Sequence, residues 1–317
     1  MIISYSYLQT NLTVVTEFLL LGFQGNRLFR NVLFLVFLVV FSTTICGNLL
    51  IIALVSTSRN LHTPMYFFIS QLSVGDIVLT LDIVPILLRI LLHNGSVISF
   101  IGCMSQFYFF SVSGIYECLL LTVMSYDRYV AICNPLHYTS VMTMSYCMKL
   151  DVGCWFLATL FSLIDNIITS TLTYCGGNII DHFFCDLLPL EGAACSDTSF
   201  IDIIMYVQSL PLVIIPTVVI IQSYVRIVLA VLRIPSSTGR QKAFSTCSSH
   251  LIVVSIFYWS LFSVYVVPTN GQTSVISKIL SLLYTVLTPL INPIIYSLRN
   301  KDIRKAVQEL LHKCKCN

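Results

Sequence analysis

The chain has 317 residues, 56% of them hydrophobic and only 10% charged, with a net charge of +3 and a mean hydropathy of +0.88. A soluble domain carries about 25% charged residues, so this composition excludes a soluble enzyme, a nucleic-acid-binding protein and a disordered regulator. The small net charge gives no sign of a polyanionic partner, and an integral membrane protein is left.

A helix that crosses a bilayer needs about 20 mostly apolar residues. Seven such stretches follow one another, at about 30–54, 64–89, 104–128, 147–167, 201–227, 245–267 and 276–297. The first holds the uninterrupted run VLFLVFLVVF, whereas the second, third and seventh carry internal polar residues. They predict an all-α membrane protein built as a seven-transmembrane helix bundle. Its parts would be an extracellular N-terminus (1–29), the bundle (30–297) and a cytoplasmic tail (298–317) containing a short amphipathic eighth helix over 299–311. The longest gap, about 168–200, is polar and cysteine-bearing, and the chain has no tandem repeat.

Orientation follows from Lys and Arg in the loops. One side has Arg59, Lys149, Arg226, Arg233, Arg240 and Lys242, and the tail adds Arg299, Lys301, Arg304, Lys305, Lys313 and Lys315. The other has Arg27, Arg30, Arg89 and Lys278. The N-terminus is therefore expected outside and the C-terminus inside. Asn11-Leu12-Thr13 is a glycosylation acceptor on the outer side, and Asn94-Gly95-Ser96 is a second match closer to the membrane. No basic region opens the N-terminus, so the first span is expected to act as its own insertion signal.

Of twelve cysteines, Cys103, Cys175, Cys185 and Cys195 fall on the outer side, where an even set reads as two disulfides. Cys46, Cys118, Cys133, Cys147, Cys154 and Cys247 read as buried thiols. Cys314 and Cys316, just past the amphipathic segment, are acylation candidates. No cysteine spacing suggests a metal site.

Charge at bilayer depth is costly and marks function. Asp76, Asp82, Glu117 and the Asp127–Arg128 neighbours are of this kind. Asp127 and Arg128 can pair locally, as a helix-end anchor or as a switch. Glu117 lies eleven residues before Arg128, about 16 Å deeper along a helix. Asp76 and Glu117 at similar depth can share a proton or hold a cation such as sodium, with Thr288 and Asn292 completing the shell, or they can be a protonated packing pair. Pro64, Pro85, Pro211, Pro216, Pro289 and Pro293 punctuate the spans and free backbone carbonyls.

Local motifs then narrow the class. MSYDRYVAICNPLHY occupies 124–138, LHTPMYFF 61–68, KAFSTCSSHL 242–251 and PLINPIIYSLRN 289–300, with Gly47-Asn48 in the first span and Ser223-Tyr224 in the fifth. Together these resemble the vertebrate olfactory (odorant) receptors, rhodopsin-like G-protein-coupled receptors of the airborne-odorant class, over nearly the whole chain. Gln71, Ser125, Trp259 and Glu191-Gly192 depart from the usual pattern of that family.

The resemblance implies disulfides Cys103–Cys185 and Cys175–Cys195, which would pin the 168–200 loop as a lid. It implies an odorant pocket lined by Phe107, Phe110, Ser111, Gly114 and Ile115 of the third span, with Gln208 and Leu212 of the fifth. Tyr258, Leu261, Phe262 and Tyr265 of the sixth and Thr285 of the seventh would complete it. It implies a switch of Asp127, Arg128, Tyr129, Tyr224, Asn292, Pro293 and Tyr296, and coupling to a stimulatory G protein of olfactory type. Phe110 stands where amine receptors of the wider superfamily carry Asp, which argues against an amine held there, though Asp82 and Asp165 offer other anionic contacts. The expected partners are a small, largely apolar odorant, the G protein and membrane lipid, with no nucleic acid, cofactor or metal and no enzymatic activity. The alternatives are a non-olfactory rhodopsin-like chemosensory receptor and a cation-coupled transporter.

Overall fold

The computed structural model describes residues 15–174, 178–266 and 274–316. Its helices, in chain order, are α1 (Arg27–Thr57), α2 (Pro64–His93), α3 (Phe100–Cys133), the short α4 (Tyr138–Val141) and α5 (Met144–Ser170). Then come α6 (Leu187–Ala193), α7 (Ser199–Ser209), α8 (Ile215–Leu232), α9 (Ser237–Val266), α10 (Ser274–Leu282), α11 (Thr288–Arg299) and α12 (Lys301–Cys316). The π-helical turn Leu210–Ile214 joins α7 to α8, and a second, Leu283–Leu287, joins α10 to α11. The result is seven long rods at the seven predicted stretches. Every rod but α2, which starts with its stretch at Pro64, begins a few residues before its apolar stretch, because hydrophobicity marks the hydrocarbon slab while the helix continues into the polar boundary. Five helical stretches, Arg27–Thr57, Phe100–Cys133, Met144–Ser170, Ser199–Leu232 and Val275–Ser297, are long and apolar enough to cross a membrane. The apolar part of α9 is the shorter Cys247–Phe262, and α2 is interrupted by Asp76, Asp82 and Arg89.

Local chemistry sets the ends. Asn26 Oδ1 accepts from Phe29 N at 2.8 Å to open α1, and Ser99 Oγ accepts from Gly102 N at 3.1 Å to open α3. Pro64 sits in the first turn of α2, where its missing N–H costs nothing. That helix ends on Asn94 at φ 59°, a left-handed cap, followed by Gly95 at φ 127°. Asn94 also accepts from Arg30 Nη1 at 2.7 Å, so this second glycosylation match is engaged in closing α2 against α1.

The prolines do not all act alike. Pro211 lies inside one π turn, and Pro289 follows the other, so the extra residue of a wide turn absorbs the ring. Pro85 and Pro293 sit within continuous α-helix. Two freed carbonyls find side-chain donors. Leu212 O, four residues before Pro216, accepts from Cys118 Sγ at 2.9 Å. Pro289 O, four residues before Pro293, accepts from Asn48 Nδ2 at 3.1 Å.

Two apolar clusters fill the bundle. One, around Tyr116, Phe68, Leu120 and Leu121, extends to Ile303 and Ala306 of α12. The other, around Phe18, Phe107, Phe110, Phe183 and Phe184, lies toward the opposite end. There a small sheet of order β2–β1–β3 caps the bundle, formed by β1 (Glu17–Leu20), β2 (Ser96–Ser99) and β3 (Ile179–Ile180). β1 pairs antiparallel with β2 and parallel with β3. Apolar periodicity gave no sign of it, because each strand is only two to four residues long.

Candidate functional site

The capped end is pinned by unlike bonds. Cys103 at the start of α3 is bonded to Cys185, as the resemblance implied. Gln106, one turn further, accepts from Cys185 N at 3.0 Å through Oε1 and donates to Asp82 O at 3.1 Å through Nε2. Cys195 is disulfide-bonded, while Cys175, its expected partner, lies outside the described residues, as does Asn11.

Lys278 of α10 is buried, and its Nζ donates to Gly22 O at 2.9 Å and to Asp181 Oδ1 at 2.5 Å. One ammonium thus ties the last rod to the loop and to the segment after β1. Next to Asp181, His182 is stacked on Phe183 and edge-on to Phe184. Burial, and then the Lys278 charge, push its imidazole down to about 3, so it is neutral at physiological pH. Burial pushes Asp186 up to about 6 and Glu191 up to about 7; the charges of Asp202 and Asp186 add to the Glu191 shift.

The expected pocket residues separate into groups. Phe107 and Phe110 are buried, and the Phe110 ring meets Phe184 edge-on at 5.0 Å and Tyr284 at 5.7 Å. The lid therefore reaches down onto the third-span wall. Ser111, Gly114 and Ile115 are partly buried, and a Cβ added to Gly114 would meet nothing within 4 Å, so there is room beside this turn. Gln208, Leu212 and Thr285 are buried, with the Thr285 hydroxyl turned back to Ser281 O at 2.7 Å. Tyr258 and Leu261 are partly buried. Phe262 departs from the expected wall. It is 54% exposed and stacks on Trp259, itself 70% exposed, so both lie on the outside of the bundle. Trp259, one of the departures from the family pattern, thus lies on the outer surface. The Tyr265 side chain lies outside the described residues.

Below that level three rods meet at one thiol. Cys118 of α3 lies 2.9 Å from Leu212 O of the fifth rod and 3.0 Å from the Tyr258 hydroxyl of α9. Alongside, Asn292 Nδ2 donates to both Asp76 carboxylate oxygens at 3.1 Å and to Glu117 Oε1 at 3.4 Å. The structure brings Asp76, Glu117 and Asn292 together, all buried. Thr288, expected in that shell, instead donates to Leu283 O across the π turn.

At the far end, Arg128 pairs with Asp127 through Nε and Nη2, and Tyr138 donates to Asp127 Oδ1 at 2.8 Å. Tyr224 is not on Arg128; its hydroxyl meets His250 Nδ1 of α9 at 2.5 Å, ring stacked on ring. The Tyr296 hydroxyl is buried with no hydrogen-bond partner among the described residues, and Tyr129 is partly buried near Tyr126. Tyr66 ties α2 to Asn300 and Asp302 at the start of α12. Next to this polar end, an outward-facing groove of about 550 Å³ runs between α8 and α9, lined by the exposed Ile221, Val225 and Leu251 with Tyr224 and Tyr258 at its floor. Sequence reasoning missed His250, Lys278 and the Tyr116–Asp151 bond at 2.6 Å between α3 and α5. Asp151 inside the fourth predicted span was a readable signal for the last of these.

Polar side chains that bridge rods at mid-depth, between a pinned cap and a paired charge at the far end, suit a protein that relays a conformational change along its helices. The class is a seven-helix membrane receptor. The olfactory receptor family model matches residues 34–314. Human olfactory receptor 10A7 is 44% identical over 301 residues, covering 95% of each chain. Rat olfactory receptor 1 is 43% identical over 307 residues, covering 97% of this chain and 98% of its own. Human olfactory receptor 11H4 is 45% identical over 298 residues, covering 94% and 92%. The chain belongs to the olfactory receptor family of G-protein-coupled receptors, multi-pass proteins of the plasma membrane.

Proposed function

We propose that this receptor is gated by a small, largely apolar odorant and activates a stimulatory heterotrimeric G protein of olfactory type. The capped end faces outward, residues 1–29 are extracellular, and 298–317, with α12, lie along the cytoplasmic side; the loop charge asymmetry supports this orientation. The odorant sits under the lid against Phe107, Phe110, Ser111, Gly114, Ile115, Gln208, Leu212, Tyr258, Leu261 and Thr285. The observation that carries the reading is the Cys118 junction, where the pocket-side turns of three rods share one thiol. An odorant above it shifts the balance between two packings of α8 and α9.

In the resting packing Asp127 holds Arg128 and His250 holds Tyr224. In the active one α9 moves out, the ion pair opens, and Tyr224 and Tyr296 turn toward Arg128. Asn292 has one amide for two carboxylates, so Asp76 and Glu117 share a proton or a small cation. Pro293 lets the last rod flex next to that site.

The test is cyclic-AMP accumulation in cells expressing the receptor with an olfactory-type stimulatory G protein, challenged with volatile esters, ketones, alcohols, acids and amines. The expected result is a dose-dependent rise that Arg128→Ala abolishes at equal surface expression. A rise that survives Arg128→Ala would overturn the switch, and a response routed only through another G protein would overturn the coupling.

A further inference from the structure

At the pocket end of α5, Ser162, Asp165 and Thr169 fall on one helical face at spacings of three and four. All three are buried, and Ser162 Oγ, Asp165 Oδ1 and Thr169 Oγ1 have no hydrogen-bond partner among the described residues. Gln208 of α7 hydrogen-bonds the Asp165 side chain, while its own Oε1 is buried and equally unpartnered. Asn166, the neighbour of Asp165, donates to Met104 O at 2.6 Å and so holds this face against α3. Gln208 stands one turn from Leu212, whose carbonyl meets Cys118. The cluster therefore borders the proposed pocket.

Four buried oxygens without partners on two facing helices are too many for packing alone, since buried polar atoms are nearly always bonded. One belongs to a carboxylate, and no ion pair among the described residues reaches it: Arg128, Lys278 and Lys305 are committed elsewhere. The chemistry that fits is a cation rich in donors. A primary ammonium offers three N–H groups, enough for Asp165 Oδ1, Gln208 Oε1 and one hydroxyl; an alcohol offers one. The approach has the same sign. The 168–200 loop carries Asp181, Asp186, Glu191 and Asp197 and no Lys or Arg, and Glu191 lies within electrostatic reach of Asp186 and Asp202. With Asp181 paired to Lys278 and Asp186 and Glu191 raised toward neutrality, the loop keeps a net negative charge, which concentrates cations.

We infer that Asp165 and Gln208, with Ser162 and Thr169 beside them, form a subsite for the protonated amino group of a small primary amine. This rests on the odorant-receptor reading and specifies the ligand's polar end, which Phe110 cannot hold. Asp82, whose Oδ2 is also unpartnered, stands beside Gln106, whose amide is already committed to Asp82 O and Cys185 N, and serves as the control.

The experiment measures thermal stabilisation of the purified full-length receptor by a panel of linear and cyclic primary amines, each beside the alcohol of the same carbon skeleton. At least one amine is expected to stabilise the wild type more than tenfold more potently than its alcohol. Asp165→Asn should remove that preference and leave the alcohol unchanged, Gln208→Leu should weaken it at least threefold, and Asp82→Asn should leave it intact. Should no amine stabilise the receptor, or amines and alcohols act alike, or the preference survive Asp165→Asn or vanish with Asp82→Asn, the subsite is wrong. Cyclic AMP measured in parallel separates the two claims. Amine binding without cyclic AMP would sink the coupling but not the subsite, whereas cyclic AMP driven only by neutral odorants would do the reverse.

Discussion

The two ends of this bundle are held by different kinds of bond. At the capped end, a disulfide, a three-stranded sheet and a buried ammonium tie together segments far apart in the chain. At the other, Asp127 holds its immediate neighbour Arg128, and Tyr224 holds His250 beside a 550 Å³ groove. Long-range covalent and ionic ties resist separation of the rods; at the other end the ion pair joins neighbours on one helix, and one hydroxyl–imidazole bond links α8 to α9, so these two rods part more readily. The motion of a receptor built this way belongs at the Arg128 end.

That contrast can be broken at its strongest point first. Cys185→Ser opens a loop spanning 82 residues, and the chain-entropy relation puts the loss at about 4.5 kcal/mol. Surface delivery, measured by flow cytometry of intact cells, should fall to near background; normal delivery would mean the sheet and Lys278 suffice. A smaller effect is expected at the other end. Asp127→Asn removes one partner of a buried pair, and the exposed cost falls on the resting packing. Ligand-free cyclic AMP per surface receptor should rise several-fold. An unchanged basal level would show that the pair does not hold the resting state.

The smallest effect is a matter of sign. His182, lowered to about 3 from 6.5, contributes stability that is complete above pH 6.5 and is lost as pH falls toward 3. Asp186 and Glu191, raised to about 6 and about 7, contribute stability that is complete below about pH 4 and is lost as pH rises through those values. Between pH 5 and 7 the two contributions oppose each other. Melting of the purified receptor should therefore rise from pH 5 to 7 in the Asp186→Asn, Glu191→Gln double variant and fall over the same interval in His182→Phe. Equal slopes in the two would remove the lid from the account.

Much of the fold was readable because its physics is local. Seven apolar stretches, a proline or an Asn at a helix end, and the runs at 124–138 and 289–300 each speak for their own segment. The Asp76–Glu117–Asn292 contact was also readable, since charge at matching depth has few places to go. What was missed depends on segments meeting. β1 is EFLL, too short to show alternation, and becomes a strand only between two loops. Lys278 read as one of four outer charges, yet it is buried under the cap. Phe262 fell on the expected helical spacing with Tyr258 and Leu261, but spacing fixes a stripe, not which way the rod turns it, and the stripe's edge faces outward.

The cap also imposes an order in time. β1 leaves the ribosome before both of its partners: Ser96–Ser99 arrive only after the second rod, and Ile179–Ile180 only after the fifth stretch of helix, α5, is complete. The leading segment must then stay unzipped while half the protein is threaded into the bilayer. Until that moment its edges are open to chaperones, and a fusion partner joined close to Val15 would compete with the loops for the strand it is meant to precede.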